Sequence, residues 1–150
     1  VHAYVLGEHG DSEFAAWSMA HVGGVNIDDY CPACRGCDQW LVERERIEQE
    51  VRYSAYHIID YKGATCFAVG LALVRITAAV LRGQKSVLTV STRLEGEFGL
   101  HDVCLSVPCI VSDRGVERIV ESPLSENEAR ALSKSASVLK RSLEQLESVV

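Results

Sequence analysis

The sequence contains no G-x-G-x-x-G, so it lacks the glycine fingerprint that cradles a dinucleotide's phosphates between a strand and a helix. It also lacks an apolar run long enough to span a bilayer: the longest candidate, Cys66 to Leu81, is interrupted by Arg75 and Thr77. No signal-peptide pattern stands at the start. The basic residues are scattered singly, which with a net charge of −6 and a pI near 5.3 excludes a nucleic-acid surface. Internal repeats and low-complexity stretches are absent as well. What is left is a chain of 150 residues, 47% apolar, of the size for one acidic globular domain with its own core. It opens on Val1 instead of Met, already in strand-like sequence, and so reads as a piece of something longer. Its six cysteines come without any sign of secretion, and reduced thiols in the cytoplasm are expected.

Val1 to Leu6 reads as a short strand, and Ser12 as the N-cap of a helix running to Val22, stopped by Gly23-Gly24. Asn26 to Asp38, with a proline, a glycine and three cysteines, reads as a loop. From Gln39 to Tyr61 the period is helical: Ile47, Val51, Ala55 and Ile58 form a stripe expected to dock on the core. Lys62-Gly63-Ala64-Thr65 breaks it, and Cys66 to Leu81 is apolar nearly all round, as for a helix buried on most sides and capped by Gly83. The period then becomes two, predicting strands over Ser86–Thr92, Asp102–Ile110 and Val116–Val120, the last two joined as an antiparallel hairpin at Asp113-Arg114-Gly115. Ser125-Glu126-Asn127-Glu128 has the form of a capping box. The helix after it carries Ala129, Leu132, Ala136, Leu139, Leu143 and Leu146 at steps of three and four. Helices and hairpins without regular alternation predict an α+β domain, a mostly antiparallel twisted sheet packed with long helices.

The best candidate for chemistry is His9, in Leu6-Gly7-Glu8-His9-Gly10-Asp11-Ser12. Imidazole is the side chain that titrates near neutral pH when unperturbed, so it suits proton transfer to a small substrate. The flanking glycines permit close approach of a ligand, and Glu8 and Asp11 are placed to favour the charged ring. The plain alternative is a surface loop histidine.

Val1 to Ser12, together with Lys62-Gly63-Ala64-Thr65, Ser86 to Ser91 and the hairpin from Asp102 to Val120, resembles the L-lactate dehydrogenases of bacteria, within the lactate/malate dehydrogenase family. These matches fall in order and at matching separations over essentially the whole chain. The resemblance implies the carboxy-terminal substrate domain of an NAD-dependent enzyme, with its nucleotide-binding domain outside residues 1–150, interconverting pyruvate with NADH and (S)-lactate with NAD. It implies that His9 is the proton donor and acceptor at the ketone oxygen, that Thr65 lines the substrate pocket, and that Val69 packs near the nicotinamide ring. Thr65 also reads as a helix N-cap, and Val69 as simple core. His2 stands at the spacing of a histidine that binds the phosphate of fructose 1,6-bisphosphate at a subunit interface, and a homodimer or homotetramer follows from the same likeness. Glu8 and Thr65 favour lactate over malate. A malate dehydrogenase-like domain and a non-catalytic oligomerisation module stand as alternatives.

Cys31-Pro32-Ala33-Cys34-Arg35-Gly36-Cys37 pairs two C-x-x-C steps through Cys34, a spacing that suits zinc or an iron–sulfur cluster. No fourth cysteine stands near Leu41, so it is read as a metal-free, oxidation-prone loop. Cys66, Cys104 and Cys109 fall on core elements and read as small hydrophobes. Arg75 and Arg93 match no substrate position of the family, so the cations that would hold a substrate carboxylate are expected upstream of Val1.

Overall fold

The computed structural model describes residues 1–30 and 37–147. Its elements are β1 (Val5–Leu6), β2 (Phe14–Ala15), β3 (His21–Val22), β4 (Val25–Asn26), α1 (Cys37–Lys62), α2 (Phe67–Leu81), β5 (Ser86–Glu95), β6 (His101–Ser112), β7 (Gly115–Ile119) and α3 (Glu126–Glu147). The sheets among the described residues are all antiparallel, in the orders β1-β2, β3-β4 and β5-β6-β7. This is the expected α+β class, with the hairpin β6–β7 turning at Asp113-Arg114-Gly115 as the sequence predicts.

The core sits on β6. Val103, Leu105 and Val107 are buried while Cys104 is exposed and Ser106 half-buried, so burial follows the two-residue period as far as Val107; Pro108, expected on the outer face with Cys104 and Ser106, is buried as well. Leu132 and Ala136 of α3 close on that face together with Leu6, Phe14 and Leu94. The start of α3 is fixed by the predicted capping box: the Ser125 amide donates to Glu128 Oε2 at 2.7 Å and the Glu128 amide to Ser125 Oγ at 3.3 Å. Glu128 Oε1 also accepts the Ser18 amide at 3.0 Å, tying α3 to the chain that follows β2. Burial pushes the Glu128 carboxyl up, yet these hydrogen bonds outweigh it and hold the group below the ordinary carboxylate range.

The segment from Ser12 to Val22 is not a helix. Phe14 and Ala16 are buried with Ala15 between them half-buried, a strand-like alternation that pairs β2 with β1 before a single 3-10 turn at Trp17–Met19. Ser12 spends its hydroxyl on Glu8 instead of on a helix start. Gly23-Gly24, both at positive φ, form the turn of the β3–β4 hairpin and stop no helix.

α1 is anchored at its beginning, where the Arg44 guanidinium lies 5.2 Å from the Trp17 ring centroid and 4.9 Å from that of Trp40 and pairs with Asp28. Its apolar stripe does not dock as expected: Ile47 is half-buried, but Val51, Ala55 and Ile58 are exposed. α2 departs further, since Phe67, Leu71, Val74 and Leu81 are between 66% and 80% exposed and only Ala79 is buried. It meets the core along the edge that carries Ala79 and Val80. Periodicity reports which side chains are apolar and says nothing of what covers them. Cys66 and Cys104 are likewise exposed, and only Cys109 behaves as a core hydrophobe. The predicted Gly83 cap is present: at φ +59 it lets its own amide reach Val80 O and the Gln84 amide reach Ala79 O. Cys31 and Cys34 lie outside the described residues, as does the side chain of Cys37. Among the described residues no helix is long and apolar enough to cross a membrane, and no cluster of three metal-ligating side chains occurs.

Candidate active site

His9 stands on the turn between β1 and β2, and so at a strand-to-strand junction instead of the expected strand-to-helix one. The backbone of this turn is fastened to three elements. Gly7 exchanges both backbone hydrogen bonds with Ser106 of β6, at 3.0 and 2.9 Å. The Glu8 amide donates to Ser135 Oγ of α3 at 2.6 Å. From α1, Tyr56 Oη donates to Asp11 Oδ1 at 2.8 Å and Arg52 to the Glu13 carbonyl at 3.1 Å. Gly7 is required here: its φ is +110, and a Cβ built on it would stand 2.7 Å from Ser135 Oγ.

On this fixed turn the His9 side chain is 95% exposed. Glu13 is the carboxylate that faces it, with Oε2 3.8 Å from Nδ1. The two acids singled out in the sequence are engaged elsewhere, Glu8 with Ser12 and Asp11 with Tyr56. Partial burial raises the Glu13 pKa, and the nearby His9 and Arg52 oppose that rise. An exposed imidazole with a carboxylate 3.8 Å away can exchange a proton with a ligand, which is what general acid–base work needs.

Two cavities meet at His9. One, of about 650 Å³, lies between the sheet and the end of α3 and includes Arg93, Asp102, Cys104, Leu139 and Leu143. The other, of about 200 Å³, includes Val5, Glu13, Thr89 and Ser106. Arg93 is the one guanidinium among the described residues lining them, and it is bound to Asp102 at 2.7 Å, with Glu95 at 3.6 Å. A substrate carboxylate therefore finds no unpaired guanidinium in either cavity.

The other residues singled out from the sequence are not gathered here. Thr65 is half-buried in the connection between α1 and α2 and lines neither cavity, and it does not cap α2, whose N-cap is Cys66. Val69, 51% exposed on the first turns of α2, is surface in this chain and not core. His2 is exposed, and its backbone pairs with His21 at 2.8 and 2.9 Å, at the far end of the segment that leads to His9. Sequence reasoning missed Ser135. The signal was available, because Ser135 lies in the stripe formed by Leu132, Ala136 and Leu139, where a polar group needs a partner.

Residues 1–150 match the lactate/malate dehydrogenase, alpha/beta C-terminal domain, and the chain belongs to that family. An L-lactate dehydrogenase of Treponema denticola is 56% identical over 146 residues, which cover 97% of this chain and 46% of that protein. One of Acetivibrio thermocellus is 48% identical, over 98% of this chain and 46% of its own length. Among solved structures, a lactate dehydrogenase enzyme from a Medee basin deep-sea metagenome library superposes with a TM-score of 0.89 at 38% identity, covering 97% of this chain and 46% of that one. The malate dehydrogenase of Archaeoglobus fulgidus in complex with NADH superposes with a TM-score of 0.79 at 32% identity, over 97% and 44%. The chain thus spans about half the length of the relatives it matches.

A nicotinamide dinucleotide does not fit the described residues as a resident group. Their sheets are antiparallel, and the sequence has no glycine fingerprint between strand and helix to hold the phosphates.

Proposed function

We propose that the chain is the substrate-side, carboxy-terminal domain of an NAD-dependent L-lactate dehydrogenase, in which His9 exchanges the proton at the C2 oxygen as pyruvate and (S)-lactate interconvert. The observation that carries this reading is the exposed imidazole on a turn held by β6, α1 and α3, with Glu13 behind it. Hydride transfer and the grip on the substrate carboxylate belong to a nucleotide-binding domain outside these 150 residues, which fits the paired state of Arg93. On the same reading Thr65 borders the substrate, Val69 faces the nicotinamide, and the exposed apolar faces of α1 and α2 are covered by that domain and by further subunits of a homodimer or homotetramer. His2, exposed at the start of the chain, contributes to a fructose 1,6-bisphosphate site. The free thiols of Cys66, Cys104 and Cys109 suit a reducing cytoplasm.

The likeness to malate dehydrogenases keeps one second reading in view, with oxaloacetate as substrate. Steady-state reduction of pyruvate and of oxaloacetate by the full-length enzyme, with and without fructose 1,6-bisphosphate, separates the two. A higher kcat/KM for pyruvate is expected, and no activity from the 150-residue chain alone. A preference for oxaloacetate gives the malate reading. Absence of both activities leaves a non-catalytic assembly domain.

A further inference from the structure

We propose that Ser135, on α3, is a positioning residue for His9, acting through a closed ring of hydrogen bonds; the proposal rests on the reading of His9 as the proton-exchanging group. Three side chains and one amide form the ring. The Glu8 amide lies 2.6 Å from Ser135 Oγ, Ser135 Oγ lies 3.0 Å from Ser12 Oγ, and Ser12 Oγ is bonded to Glu8 Oε2. Its polarity is fixed by chemistry. The amide can only donate, so Ser135 accepts there, and the ionised carboxylate can only accept, so Ser12 donates to it. The Ser135 hydroxyl therefore donates to Ser12, and every donor in the circuit points the same way round. Such a ring polarises its members in one sense and strengthens each bond.

The ring encloses the turn on which His9 stands. It joins the residue before His9 to Ser12, three positions after it, and ties both to a helix that is distant in sequence. Ser135 is fully buried, and Leu132 and Ala136 around it are also buried, so α3 presents a stiff support. The fit is close on the other side too, because a side chain on Gly7 would press on Ser135 Oγ. A side chain on Gly10 would overlap the Glu8 carboxylate that the ring holds. Ser133 and Ser137, two residues to either side on the same helix, are exposed and take no part.

The test uses the full-length enzyme that carries this chain, with Ser135→Ala, Ser12→Ala, the double variant and Ser137→Ala as control. Ser135→Ala is expected to lower kcat for pyruvate reduction about tenfold with KM within twofold of wild type, the split expected when geometry is lost only in the transition state. Amide hydrogen exchange over residues 7–12 should quicken about tenfold while that of β5 and β6 is unchanged. Ser12→Ala should do the same, and the double variant no more than either single one, since each opens the same ring. If Ser135→Ala fails to fold, Ser12→Ala alone carries the test. Unchanged exchange over residues 7–12 overturns the ring, and quickened exchange with kcat within twofold of wild type overturns its part in positioning His9. A wild-type enzyme inactive on 2-oxo acids removes the reading of His9 itself, and the exchange measurement then still decides the ring.

Discussion

The half of the molecule built on β6 and α3 and the half built on α1 and α2 use their apolar residues in opposite ways. In the first, Leu94, Leu105, Val107 and Leu132 are buried, and the polar groups between them have named partners within the chain. In the second, Phe67, Leu71, Leu73 and Val74 lie largely open on a helix with little polar surface. The difference teaches where the information for this domain resides. The β6–α3 half buries a core of its own and, with Tyr56 and Arg52 of α1, holds the turn that presents His9, although Leu143 and Leu146 at the end of α3 stay exposed. The α1–α2 half carries an apolar surface whose burial the described residues do not supply.

The largest effect is expected at His9, the group proposed to exchange the substrate's proton. His9→Asn in the full-length enzyme should lower kcat for pyruvate reduction about a thousandfold, the usual range for loss of a general acid–base group. Its melting temperature should stay within about 1 °C, because the side chain is 95% exposed and its removal leaves no cavity. A fall in kcat of less than tenfold would assign the proton transfer to another group.

A second pair of variants addresses the comparison itself. Leu132→Ala, at a position 1% exposed, should cost about 2–5 kcal/mol in any form of the protein. Leu71→Ala, at 72% exposure, should cost no more than about 0.5 kcal/mol in the 150-residue chain. In the full-length enzyme its cost should rise above about 1 kcal/mol as the face is covered. Chemical denaturation of both variants beside wild type, in each form, checks this, and equal costs for Leu71→Ala in both forms would mean that the α2 face stays in water.

The same division governs what the sequence made legible. The strands β5 to β7, the turn at Gly115, the capping box at Ser125 and Glu128 and the Gly83 cap depend on contacts near in the chain or on a two-residue period, and each was readable. The run from Ser12 to Val22 was misread because Ser12, a good helix cap by type, is drawn to Glu8 and Ser135, a contact set by α3 far along the chain. The stripes of α1 and α2 were read correctly as apolar and wrongly as buried, since burial is a property of the neighbour. At the site, local chemistry singles out His9 and is silent on what holds its turn. Glu13 stands four residues along the same turn, whereas Tyr56 and Ser135 reach the turn through tertiary contacts, and of those two only Ser135, a serine in an apolar stripe, left a trace in the pattern.

A smaller effect than at His9 or Leu132 is expected at Glu128, where the capping box of α3 meets the Ser18 amide. Its carboxylate accepts the amides of Ser125 and Ser18, and these bonds hold its folded-state pKa below the ordinary value despite burial. A carboxyl depressed in the folded state adds stability above its unfolded pKa of about 4.3, and that stability is lost as pH falls through the lower folded value. Glu128→Gln keeps one oxygen acceptor and removes the charge, so it should cost about 1 kcal/mol at pH 7. The difference from wild type should shrink once the pH drops below about 4. Urea denaturation across pH 3 to 7 measures the gap. A gap that stays constant with pH would show that the carboxylate's charge contributes nothing and that the cap is held by shape and neutral hydrogen bonding alone.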